Sequence, residues 1–143
     1  MEKWKNGIAW PDKLNTGNEI IDGQHRTLFI FISDLIDAHI KRETKEKFSD
    51  MLKVLVNYTA EHFGYEEKLM TEIKYPAHEY QNHKNLHDDF KGDVKKLQTD
   101  YENQGTSDEL VKILENIVIN WVIQHIQRED VKIAEFMRRN NII

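Results

Sequence analysis

The chain has 143 residues, with 20 Lys plus Arg against 25 Asp plus Glu and a formal charge of −5. That length holds one core but not two independent ones, and so mild a charge, without a basic patch or a long charge run, argues against a nucleic-acid partner. The absence of cysteine excludes disulfides, thiolate zinc sites and cysteine-held iron–sulfur clusters. The opening residues lack the apolar core of a secretory leader, and no apolar stretch is long enough to span a bilayer, so a soluble, cytoplasmic protein with no membrane association is expected.

Periodicity predicts an extended arm followed by four long helices. The arm, residues 1–18, carries Trp4 and Trp10, and both prolines, Pro11 and Pro76, fall outside the periodic segments. The first helix is predicted over about residues 19–41, with Ile21, His25, Leu28, Ile32, Leu35 and Ile36 on one stripe. The second, over about 45–71, repeats the pattern through Phe48, Met51, Leu52, Leu55, Thr59, His62, Glu66 and Met70. A turn at Tyr75 and Pro76 leads to a third, over about 79–101, with Tyr80, His83, His87, Phe90, Val94 and Leu97 on its face. A break at Asn103, Gly105 and Thr106 precedes a fourth, over about 108–138, which Ser107 or Asp108 can cap and which carries Leu110, Ile113, Leu114, Ile117, Val118, Trp121, Val122 and His125. Short connections make neighbouring helices antiparallel, so the expected fold is an all-α, up-down-up-down four-helix bundle with an N-terminal extended arm.

The polar residues on these apolar stripes carry the chemistry. His62 and Glu66 are four residues apart and share a helix face, as do His83 and His87. A single histidine on an apolar face is usually a hydrogen-bonded core residue. Five imidazoles and two carboxylates at one depth would instead cost several kcal/mol in desolvation unless paired with each other or with metal. Nitrogen and carboxylate oxygen without thiolate suit iron, manganese or zinc, and the donors outnumber what one ion needs. His39 and His78 lie away from this layer and are assigned to the surface. Spacing on a straight helix selects Glu129 as the partner of His125, because residue 129 lies about 40° around from residue 125 and residue 130 about 140°.

Ile21-Asp22-Gly23-Gln24-His25, His62-Phe63-Gly64-Tyr65-Glu66-Glu67, Tyr75-Pro76 followed by His83 and His87, and Trp121 through Asp130 resemble the successive motifs of the hemerythrins, most of all the bacterial single-domain members. The resemblance spans nearly the whole chain. It implies two iron ions per chain (Fe2+/Fe3+), oxo- or hydroxo-bridged, with one held by His83, His87 and His125, the other by His25 and His62, and Glu66 and Asp130 bridging both. It therefore selects Asp130 where spacing selects Glu129, and a local π-type turn would reconcile the two. These donors leave one coordination position open on the two-histidine iron, where molecular oxygen would bind reversibly for storage, delivery or sensing.

Trp121 matches the bulky aromatic beside the family's oxygen site, although plain core packing explains it equally. Glu67 and Glu129, each next to a ligand, are assigned to the surface in preference to a supporting role behind the ligands. Arg128, three residues after His125, either approaches the oxygen pocket or snorkels to solvent, the second being favoured. No catalytic residues are expected. The competing reading is a di-iron scavenging enzyme acting on peroxide or nitric oxide, but such carboxylate-rich sites usually use two Glu-x-x-His motifs, which this chain lacks. A monomer is expected.

Overall fold

A computed structural model describes residues 12–105 and 107–142. Trp4, Trp10 and the arm ahead of Asp12 lie outside the described residues. After a single 3-10 turn at Asp12–Leu14, the chain forms helices α1 (Glu19–Ile40), α2 (Lys45–Glu72) and α3 (Ala77–Gln104). The fourth, α4, is one continuous helix made of Asp108–Ile117, a π-helical stretch Val118–Val122, Ile123–His125, a second π-helical stretch Ile126–Asp130, and Val131–Arg139.

Side chains that satisfy otherwise unpaired N–H groups start three of these helices. Asn18 accepts from Ile21 N at 3.0 Å, Thr44 from Lys47 N at 3.1 Å, and Ser107 from Leu110 N at 3.1 Å. Asp108 is therefore not the cap; its Oδ1 lies 2.9 Å from His39 Nε2 at the far end of α1. α3 ends at Gly105, whose φ of +75° favours glycine. Ahead of α1, buried Asp22 accepts from Thr16 N and Oγ1 at 2.8 Å each and from Gly17 N at 3.2 Å, fastening the incoming chain.

The helices form an up-down-up-down four-helix bundle. The start of α1 meets the end of α4 through Asn18 and Met137, while its end meets the start of α4 through His39 and Asp108. Tyr101 near the end of α3 donates to the carbonyl of Lys45 at the start of α2. Two apolar clusters fill the interior. The larger contains Leu28, Phe29, Leu52, Phe63, Phe90 and Ile126; the smaller contains Ile21, Met70, Tyr75, Ile133 and Met137. His25 falls between Ile21 and Leu28, and Asp130 between Ile126 and Ile133, so the polar layer is sealed on both sides. Ile113 is 43% exposed and Val111 takes an inward position, because residue 113 lies about 100° from the centre of the stripe set by 110, 111 and 114. No described helix is long and apolar enough to cross a membrane.

Candidate metal centre

All four helices deliver donors to one layer. His25 comes from α1, His62 and Glu66 from α2, His83 and His87 from α3, and His125 and Asp130 from α4, and all seven are buried. They form two groups that share the carboxylates: Glu66, His83, His87, His125 and Asp130 in one, and His25, His62, Glu66 and Asp130 in the other. Within each, one donor atom per residue lies within 4.8 Å of every other. His87 Nε2 is 3.1 Å from His125 Nε2, which is 3.0 Å from His83 Nε2. Asp130 reaches His25 at 2.9 Å, His83 at 3.0 Å and His125 at 3.1 Å, all at Nε2. Glu66 reaches Nε2 of His87 at 3.1 Å and of His62 at 3.4 Å.

Asp130 enters the layer, and Glu129 does not, because the second π-helical stretch carries one extra residue in its turn. That residue rotates the helix enough to bring position 130 inward. Glu129 is left partly exposed, 3.7 Å from Lys132. Local straightness was the assumption that failed in choosing Glu129 from spacing.

The surface assignment of Glu67 also fails. Its Oε2 accepts from His87 Nδ1 at 2.9 Å, and the side chain is only 18% exposed. Gln24, quoted in the α1 motif but given no role, accepts through Oε1 from His62 Nδ1 at 2.7 Å. Each stands beside one member of the layer in sequence and bonds to a member on the next helix. Sequence position alone gave no sign of that reach. Phe63 stacks on His87 with ring centres 3.9 Å apart and 5° between planes, fixing the imidazole further. His78 is exposed; His39, assigned to the surface, is only 18% exposed, pairs with Asp108 and lies outside the layer.

The imidazoles and carboxylates set one another's protonation. Burial opposes charge on His25, but the adjacent carboxylates of Asp130 and Glu66 override it, raising its pKa from 6.5 to about 9. The same balance raises His83 to about 9. His62 falls to about 4, since burial, helped by positive charge on His25 and His87, outweighs the pull of Glu66 and Asp130. Burial and mutual repulsion oppose ionisation of Glu66 and Asp130, yet the surrounding imidazoles hold both well below the usual carboxylate range.

This donor set fits a cation. Both oxygens of Glu66, Asp130 Oδ1 and His83 Nδ1 are buried without a hydrogen bond among the described residues, an arrangement that protein alone rarely tolerates. With metal–nitrogen bonds of about 2.1 Å, neighbouring donors of an octahedral ion stand about 3.0 Å apart, close to the spacing of the three α3 and α4 nitrogens. Five imidazoles and two carboxylates suit iron, manganese or zinc.

Two cavities meet the layer. The inner one has about 10 Å³ of room for the centre of a water-sized sphere, and Leu28, Phe63, Val122 and Ile126 line it beside His25 and His62. The outer is a 230 Å³ surface cleft lined by Leu86, Asn120, Gln124, Arg128 and Glu129. Trp121 and His125 line both, their rings stacked 4.3 Å apart at 11°, so these two side chains form the partition. Arg128 is exposed and belongs to the cleft, not to the inner cavity. A further cavity of 490 Å³ lies among the start of α1, the end of α4, and Tyr65 and Leu69 of α2, and includes none of the seven donors.

A family model described as the hemerythrin HHE cation binding domain matches residues 16–136. The bacteriohemerythrin of Pseudomonas aeruginosa (strain LESB58) is 30% identical over 134 residues, which cover 93% of this chain and 83% of that one. The bacteriohemerythrin of Aquifex aeolicus is 27% identical, over 87% of this chain and 94% of its own. The myohemerythrin of Sipunculus nudus is 26% identical, over 87% and 88% respectively. With a buried layer of nitrogen and carboxylate donors supplied by all four helices, and a family match running almost from end to end, the chain belongs to the hemerythrin family.

Proposed function

We propose that the protein binds molecular oxygen reversibly at a di-iron centre, for storage, delivery or local sensing, and is not an enzyme. His83, His87 and His125 would hold one iron and His25 and His62 the other, with Glu66 and Asp130 available to both. The observation that carries this reading is the inner cavity. Both imidazoles of the smaller group, His25 and His62, line it beside His125 and Asp130, aliphatic and aromatic groups wall the rest, and its size suits a single water or diatomic molecule. The relatives named bacteriohemerythrin and myohemerythrin support the same reading. The irons, when bound, supply the electrons by which oxygen is held reversibly.

The protein's own residues hold the donors in place and keep water out. Gln24 and Glu67 fix the tautomers of His62 and His87, so that each ring turns its Nε2 lone pair inward. Leu28, Phe63, Val122 and Ile126 offer no hydrogen bonds to water in the inner cavity. Trp121 separates that cavity from the cleft.

The deciding experiment mixes reduced, iron-loaded protein with oxygen in a stopped-flow instrument and then evacuates the sample. Two irons per chain, and a spectrum that cycles without net oxygen consumption, are the expected results. Steady consumption of oxygen, or turnover of added peroxide or nitric oxide, would replace the binding role with a scavenging one. In the same assay Trp121→Ala is expected to shorten severalfold the time over which the protein keeps its ability to cycle, because it opens the partition. Arg128→Leu is expected to leave that time unchanged, since its side chain faces the cleft; a longer time would place the guanidinium in control of the pocket.

A further inference from the structure

The five imidazoles are alike in presenting Nε2 to the donor layer. Two of them differ on their outer edges. His87 Nδ1 donates to the carboxylate of Glu67 at 2.9 Å, whereas His62 Nδ1 donates to the neutral carboxamide of Gln24 at 2.7 Å. His87 belongs to the three-imidazole group and His62 to the two-imidazole group. The chain thus backs His87 with an anion and His62 with a neutral dipole.

We propose that Glu67 and Gln24 are positioning residues that grade the two halves, making the His83, His87 and His125 half the tighter cation site and the first to fill. This rests on the ligand set proposed above. A carboxylate accepting the Nδ1 proton draws it outward and makes Nε2 a stronger donor, and its negative charge adds attraction for a cation behind the ring. An amide fixes tautomer and orientation equally well but adds no net charge. Among the described residues no lysine or arginine forms an ion pair with Glu67, whose carboxylate faces His87. Lys84, which feels the Glu67 charge, places its ammonium 2.8 Å from Asp88. The low exposure of Glu67, 18%, limits screening by solvent.

The two side chains also tie helices together at the layer. Gln24 reaches from α1 to a donor on α2, and Glu67 from α2 to a donor on α3. A merely structural role would be satisfied by any partner of the right length, so charge and fit separate by exchanging amide and carboxylate at the two positions.

The test titrates metal-free, full-length protein with cobalt(II) alone, in competition with a chromophoric chelator, for the natural chain, Glu67→Gln and Gln24→Glu. The natural chain is expected to take two cations in two resolved steps. Glu67→Gln should weaken the first step by about 10–100-fold and barely change the second, while Gln24→Glu should tighten the second and narrow the gap. In cobalt-loaded protein, the exchangeable His87 N–H proton resonance should shift in Glu67→Gln, and Glu67→Asp should restore part of the lost affinity. Fewer than two cations on the natural chain would defeat the ligand set itself. Two cations with an unchanged first step in a Glu67→Gln protein that melts normally would overturn the grading and leave the ligand set standing. Should Glu67→Gln fail to fold, Gln24→Glu decides alone, and an unaltered second step there overturns the proposal.

Discussion

Removing the metal is expected to lower the melting temperature of the protein by roughly 10–20 °C. A cation present at a hundred times its dissociation constant adds about 2.7 kcal/mol of stability per site, provided it binds the folded chain and not the unfolded one. Two sites then contribute about 5 kcal/mol, and in a chain of this size each kcal/mol moves the midpoint by about 2–4 °C. The bundle should still fold without metal, because His25 and His83 can pair with Asp130 at 2.9 and 3.0 Å. Those pairs compensate only in part, since Glu66 is wholly buried and neither of its oxygens makes a hydrogen bond among the described residues. Scanning calorimetry of chelator-treated and iron-loaded samples provides the measurement. Identical melting curves would mean that the layer does not hold metal in the folded protein.

The largest effect of a single substitution is expected at Asp130. Its carboxylate lies within 3.1 Å of imidazoles from three different helices and is common to both donor groups. Asp130→Ala should therefore remove both cations, taking iron from about two per chain to near zero, where loss of His25 or His62 would strip mainly one half. It should also leave His25 and His83 without their principal anionic partner, lowering the pKa of each from about 9. Glu129→Ala, one residue away, is the matched control and should retain full iron, because that side chain faces Lys132 and solvent. Elemental analysis of the two purified variants decides the matter. If Glu129→Ala lost the metal and Asp130→Ala kept it, the π-helical register of α4 would be wrong.

Much of this protein could be read from local pattern. A period of 3.6 in the apolar residues sufficed for four helices and their inward stripes, since burial of one face is a property of each segment by itself. Six of the seven clustered residues sat on those stripes as polar interruptions: His25, His62, Glu66, His83, His87 and His125. For the cap of the fourth helix local pattern left Ser107 and Asp108 open, and the choice fell to Ser107, which accepts from Leu110 N, while Asp108 turns to His39 on another helix.

Asp130 marks where the pattern ran out. Angular bookkeeping on a straight helix pointed to Glu129, and resemblance alone pointed to its neighbour. The rotation that brings Asp130 inward comes from an extra residue in one turn of α4, a distortion sustained by packing and by the converging imidazoles, and hence invisible to a rule that counts 100° per residue. Glu67 and Gln24 were misread or passed over for a related reason. On their own helices they are rim residues, and only the neighbouring helix supplies the ring nitrogen that gives each a role. The inner cavity is likewise shared among α1, α2 and α4. The amino-acid sequence by itself determined the helices, their buried faces and the donor types, all of which follow from the chemistry of each segment. The tertiary structure decided which carboxylate of α4 faces inward, which side chains stand behind the imidazoles and where a small molecule fits, because those depend on distances between helices that no single segment encodes.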